Sequence, residues 1–232
     1  MKKILLVLLL CLCVVGCGKK TEKKEEKREE NLSGGWDIAT EFETYIPMDA
    51  AELFYKATNN ESEQVFPIAL LGKQVVSGTN YMFLVQKDNE YYVYVIYENL
   101  ENELSITKKT KFELTKYTNE NKALDSKASV GGWKVVVPEE DIPSMKLDEK
   151  TQKIFDEASE KLTGTTYYPL TVLGKQVVSG TNYAVIAYGT PSTKELVNDS
   201  TTGVYILTLY QDLKGTSEIV SSSYIDLTEY NK

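Results

Sequence analysis

The chain has 232 residues, a formal net charge of −8 and no histidine. Without histidine it lacks the commonest general base and the commonest metal ligand, and its acidity offers no basic footprint for nucleic acid. Its cysteines, Cys11, Cys13 and Cys17, all lie in the first 17 residues. The rest of the chain therefore has no disulfide framework, no Cys–His nucleophile and no thiolate metal site.

Residues 1–16 read as a targeting segment. Lys2 and Lys3 form a positive start, and residues 4–15 are apolar but shorter than the roughly 20 residues a spanning helix needs. Val14-Val15-Gly16-Cys17 resembles a bacterial lipobox. That resemblance implies cleavage before Cys17 and a diacylglycerol on its thiol; a plain secretory signal and an uncleaved anchor are the competing readings. Loss of Lys2 and Lys3 with the leader takes the net charge from −8 to about −10. Residues 18–31, GKKTEKKEEKREEN, are charged and without apolar side chains, so they cannot build a core. With Cys17 they form a tether of at most about 50 Å.

Residues 32–117 read as a first domain. A strand is expected within 38–46. Pro47 and Asp49 signal a helix start, with Ala50, Leu53, Phe54 and Ala57 on one face. Strands follow at 65–77, 79–86, 91–97 and 104–117, with turns at Asp88-Asn89 and at 99–103. Residues 118–129 are polar and read as a linker. Residues 130–232 repeat the order. A short strand is expected at 133–137. A longer amphipathic helix through Leu147, Thr151, Ile154, Phe155, Ala158 and Leu162 is capped near Asp148. Strands follow at 167–179, 181–188, 204–211 and 218–227, with an insertion at 190–202. A helix laid against antiparallel strands is an α+β arrangement.

The sequence LGKQVVSGTNY occurs twice, at Leu71 to Tyr81 and at Leu173 to Tyr183, while its flanks differ widely. Gly-Gly-Trp precedes each copy, at Gly34-Gly35-Trp36 and Gly131-Gly132-Trp133. This is a tandem duplication in which one stretch stayed fixed as its surroundings drifted, although local gene conversion would leave the same trace. Each copy reads as a hairpin, with Gly78 and Gly180 taking a positive φ at no steric cost. The tip carries no charge and offers two valines. An ordinary β-turn is the plain reading; two identical copies in matching contexts weigh against it. Carboxylates are abundant, but no pair has a spacing that suggests acid–base work, and the glycines form no phosphate cradle. The reading is a binding protein and not an enzyme, with no cofactor and no metal.

Gln74-Val75-Val76-Ser77-Gly78 and Gln176-Val177-Val178-Ser179-Gly180 resemble the Gln-x-Val-x-Gly loop of the cystatins, inhibitors of papain-like cysteine proteases. The following Thr-Asn-Tyr is similar to stefins, and the upstream glycines with their Trp resemble plant cystatins. The resemblance covers nearly all of the chain after the tether. It implies two tandem cystatin-like domains, each one helix wrapped by a four- to five-stranded antiparallel sheet. It implies a wedge of three parts that enters a protease cleft. In the first domain these are Gly34 and Gly35, Gln74 to Gly78, and the turn at Leu100. In the second they are Gly131 and Gly132, Gln176 to Gly180, and the turn at Leu213. The third part departs from the family, in which a Pro or Pro-Trp is usual. Before the glycines stand Ser33 and Val130; many papain-like proteases have an apolar pocket there, so the second domain is expected to inhibit more strongly. Trp36 and Trp133 are expected to pack in the core or at a sheet edge.

The function these resemblances imply is a surface-anchored, reversible protease inhibitor of the bacterial cell envelope, held to the membrane through lipid on Cys17. The alternatives are a cystatin-fold binding or adhesion lipoprotein that has lost inhibition, and a purely structural envelope lipoprotein.

Overall fold

The computed structural model describes residues 35–38, 46–118, 132–136, 146–191 and 202–232, all within one compact unit, Leu32–Lys232. Helix α1 (Met48–Thr58) is followed by β1 (Val65–Val76), β2 (Gly78–Lys87), β3 (Glu90–Glu98) and β4 (Leu104–Phe112). A short β5 (Trp133–Val135) then precedes α2 (Glu149–Ser159), β6 (Thr165–Val178), β7 (Gly180–Pro191), β8 (Gly203–Asp212) and β9 (Ser217–Tyr224). The strands form two antiparallel sheets, of four and five strands, each in sequence order. The fold is α+β.

The helices are of equal length, 11 residues each, where the sequence led us to expect a longer second one. Leu147 precedes α2, and Leu162 lies beyond its end, in a turn that closes at Gly164 with φ +97°. Asp148 caps α2 as expected: its Oδ1 accepts from the Thr151 amide at 2.7 Å. Pro47 gives α1 no side-chain cap, so that helix depends on packing. The strand expected within 38–46 falls largely on residues 39–45, which lie outside the described residues; just before it, Asp37 forms an isolated bridge with Lys73.

Side chains alternate across each sheet, and the central strands are buried on both faces. On one face of the first sheet, Phe83, Val85, Tyr94 and Ile96 pack against Ala50, Leu53 and Phe54 of α1. On one face of the second, Val185, Ala187, Leu207 and Leu209 pack against Ile154, Phe155 and Ala158 of α2. The opposite faces meet in a third core, where Met82, Leu84, Val93 and Val95 join Ala184, Ile186, Val204 and Ile206. Burial on both faces explains why β2 and β7 are nearly unbroken apolar runs instead of alternating ones.

Both sheets carry β-bulges at matching places: Pro67/Ala69 and Leu70/Gly72 in one, Pro169/Thr171 and Val172/Gly174 in the other. A further pair lies at Val95/Ile96 and Thr208/Leu209. Bulges bend a strand and raise its twist. Their recurrence outside the identical stretch shows that the duplication extends over the whole sheet.

The expected last strands stop early, because their ends are needed elsewhere. After Phe112 and after Tyr224 the chain turns into short 3-10 segments, Leu114–Lys116 and Leu227–Tyr230. These arms cross to the other half. Leu114 Cδ2 lies 3.1 Å from where a Cβ on Gly174 would stand, and Leu227 Cδ1 lies 3.1 Å from the same point on Gly72. Where the arms meet, the Tyr117 and Tyr230 hydroxyls are 3.0 Å apart. The Tyr188 hydroxyl donates to the Leu70 carbonyl at 2.7 Å, and the Tyr91 hydroxyl lies 3.0 Å from the carbonyls of Leu173 and Val136. The leucine–glycine contacts and the Tyr117–Tyr230 pair are reciprocal, as in an isologous dimer interface, but are made within one chain.

Two outcomes follow from the shared core. Leu114→Ala and Leu227→Ala should each cost about 2–5 kcal/mol and shift one common urea transition, followed by tryptophan fluorescence and far-ultraviolet circular dichroism. Two separate transitions would show that the halves are independent. Burial also pushes the Tyr91, Tyr117 and Tyr230 phenols above the usual tyrosine range, and the Tyr117 hydroxyl adds to this for Tyr230. Their folded pKa is raised, so their contribution is complete below the unfolded value of about 10 and is lost as pH rises past it. The urea midpoint should hold from about pH 7 to about pH 9.5 and fall above about pH 10; a flat midpoint through that range would contradict the assignment.

Candidate binding edge of each half

Three segments are brought to one edge of each sheet. In the second half Trp133 pairs with Gln176, and continuing that register sets Gly132 beside Val177. In the first half Asp37 pairs with Lys73, and the same continuation carries Gly35 towards Val75. Thr79 pairs with Glu98, and Gly180 with Asp212, so the second hairpin lies beside the first in both halves. Gly34, Val130, Gly131 and Ser33 lie outside the described residues.

Most of the duplicated stretch is employed inside the fold. Leu71 and Leu173 are fully buried in the shared core. Gly72 and Gly174 receive the crossing leucines, and the Trp36 and Trp133 rings lie against them at 3.5 and 3.2 Å from the Cβ position. Trp133 is fully buried and Trp36 half-buried, so both pack as expected. The Lys73 ammonium stands 5.2 Å from the centre of the Tyr81 ring, and Lys175 stands 5.5 Å from that of Tyr183. Asn80 donates to Gln74 Oε1 at 2.8 Å, and Asn182 to Gln176 Oε1 at 2.7 Å.

The glutamines and glycines of the motif also have places inside the hairpin. Gln74 and Gln176 were expected among the contact residues, but they are only 8% and 1% exposed. Their amides tie the two strands of the hairpin together across its base and so position the tip. Gly78 and Gly180 take the positive φ expected of them, +150° and +142°. A Cβ on Gly78 would lie 2.3 Å from the Glu98 carbonyl oxygen and 2.8 Å from the Tyr97 ring. On Gly180 the corresponding distances are 2.4 Å to Gln211 and 2.7 Å to Tyr210.

What remains at the tip is exposed. Val75 and Val177 are 68% and 65% exposed, and Val76 and Val178 are about 40% exposed. Ser77 and Ser179 are exposed beside them. Both copies keep Val-Val-Ser at these exposed positions.

The second hairpins have different sequences and one geometry. Asn99 Oδ1 accepts from the Glu101 and Glu103 amides at 3.0 and 2.8 Å. Asp212 Oδ1 accepts from the Lys214 and Thr216 amides, both at 2.8 Å. Positive φ falls at Asn102 (62°) and Gly215 (92°), types that tolerate it. Leu100 and Leu213 project at the same place in this turn, 78% and 85% exposed.

A tyrosine that the sequence reading passed over joins the hairpins. Tyr97 donates to the Ser77 carbonyl and Tyr210 to the Ser179 carbonyl, both at 2.8 Å. The signal was present outside the identical stretch: Tyr97-Glu98-Asn99-Leu100 and Tyr210-Gln211-Asp212-Leu213 share Tyr-x-Asn/Asp-Leu.

No protein-family model matches the chain, and no curated protein sequence matches it.

Tyr97→Phe and Tyr210→Phe should each cost only about 0.5–1.5 kcal/mol of stability. Each should still speed amide hydrogen exchange at residues 75–79 or 177–181 of its own half. Unchanged exchange in those hairpins would remove the tyrosines from any positioning role.

Proposed function

We propose that this chain is a reversible inhibitor of papain-like cysteine proteases, with a cystatin-like wedge on each half. The observation that carries this reading is the uncharged Val-Val-Ser tip, kept in both copies and exposed in both. It is supported by the setting: one helix on an antiparallel sheet, and a glycine segment, the tip and a leucine-bearing hairpin side by side on one edge.

The chemistry required of such a wedge is modest. The tip is preorganised by the Gln74–Asn80 and Tyr97–Ser77 hydrogen bonds and their counterparts, so little ordering entropy is lost on binding. Its valines carry no charge into the cleft, which keeps desolvation cheap. It covers the catalytic thiol of the target by occupancy, without presenting a bond for cleavage. Gly35 and Gly132 flank the tip on one side, and Leu100 or Leu213 takes the other. Lipid on Cys17, which lies outside the described residues, is proposed to hold the chain at the cell envelope.

One observation favours a second reading, a binding module without inhibition. Leu100 and Leu213 stand as single apolar anchors among polar neighbours, Asn99 and Glu101 in one turn and Asp212 and Lys214 in the other. That is a small grip on its side of a cleft.

Because the halves share a core, the test uses the intact chain. Titration of papain should give sub-micromolar inhibition, tighter than about −8 kcal/mol. Val76→Asp and Val178→Asp should each halve the number of proteases bound, and the double variant should weaken inhibition by about 100-fold or more, near 2.7 kcal/mol, with an unchanged circular dichroism spectrum. A folded wild-type chain that leaves papain fully active at high micromolar concentration favours the binding-module reading.

A further inference from the structure

The two edges share their backbone and their tip but not their charge. Glu98, Glu101 and Glu103 surround Leu100; at the matched positions around Leu213 stand Gln211, Lys214 and Thr216. Upstream, the exposed Asp37 of the first half stands where the exposed Lys134 stands in the second. The first edge thus carries four carboxylates. Glu98 accepts from the Tyr81 hydroxyl at 3.0 Å and Glu103 from the Asn99 amide at 2.9 Å; both contacts leave the negative charge in place. The second edge carries two ammonium groups, Lys134 and Lys214, against two carboxylates, Asp212 and Glu218. Glu218 pairs with Tyr210 one position inside the hairpin. Lys73 and Lys175 occupy equivalent places over Tyr81 and Tyr183, so they cancel in the comparison.

Resting on the inhibitor reading above, we infer that the halves divide their targets by charge. The first edge takes papain-like proteases whose cleft rim is basic on the side that meets the second hairpin. The second edge discriminates little on charge. The four carboxylates of the first edge are spread over the two segments that flank an uncharged tip. They act at the rim of the contact, where charge governs the association rate and partner choice more than the lifetime of the complex. The chain therefore holds one charge-selective wedge and one general wedge.

The experiment uses the intact chain with one edge silenced at a time, Val177→Asp with Val178→Asp or Val75→Asp with Val76→Asp. Association rates are measured with two papain-like proteases of opposite rim charge. Salt is raised from about 0.01 M to about 1 M, over which the Debye length falls from about 30 Å to about 3 Å. With only the first edge active, association with the basic-rimmed protease should slow by about tenfold or more, and association with the acidic-rimmed one should not slow. With only the second edge active, both rates should stay within about twofold. Glu101→Lys with Glu103→Thr, which installs the residues of the second half, should flatten the first edge's salt dependence. Equal salt dependence for both edges, with inhibition intact, overturns the charge division alone. Absence of inhibition by either silenced chain at every salt concentration, with circular dichroism showing both folded, overturns the division together with the reading it rests on.

Discussion

Each crossing leucine depends on a glycine in the opposite half. Leu114 and Leu227 can lie where they do because Gly174 and Gly72 present no side chain, and a Cβ at either glycine would press on the leucine at 3.1 Å. From this contact much of the architecture follows. The arms leave the sheets early to reach it, the faces opposite the helices come together around it, and the strands between two cores become apolar on both sides. Each aliphatic side chain buried there contributes about 1.5–3 kcal/mol, against a net stability of about 5–15 kcal/mol for a typical domain. Neither half has stability to spare for exposing that face.

The sequence was informative where local chemistry acts alone. Asp148 announces a cap and makes one; Ala50, Leu53 and Phe54 announce a buried helix face and form it. The turns at 77–78, 88–89, 99–103, 179–180 and 212–217 fell within about one residue of their expected places, because glycines and β-branched runs mark them locally. It was uninformative where the partner lies far along the chain. Phe112 and Leu114 alternate like a strand, so the arm was expected to be one; that its leucine seats on Gly174 is a long-range fact. The unbroken apolar run from Met82 to Val85 fits a strand buried on one face or on two, and the sequence does not show what lies on the second.

The candidate edge was legible in outline, and its internal supports were not. The exposed valines and leucines stand where the motif placed them. Gln74 and Gln176 were taken for contacts because the motif contains them, but an amide between two strands serves equally to tie them. Gly78 and Gly180 are needed because Tyr97 and Tyr210 lie on them, a constraint invisible until β2 and β3, and β7 and β8, are paired. Sequence comparison of the halves over their full length, and not over the identical stretch alone, is what brings the tyrosines into view.

Carrying the interface within one chain has an evolutionary consequence. A homodimer with these contacts would display two copies of whatever edge its single gene encodes, and any change to one would appear in both. Joining the halves removes that restriction. The arms and glycines must stay matched to each other, whereas a substitution near Leu100 leaves Leu213 untouched. One gene can thus keep a common scaffold while its two outer edges accumulate different chemistry.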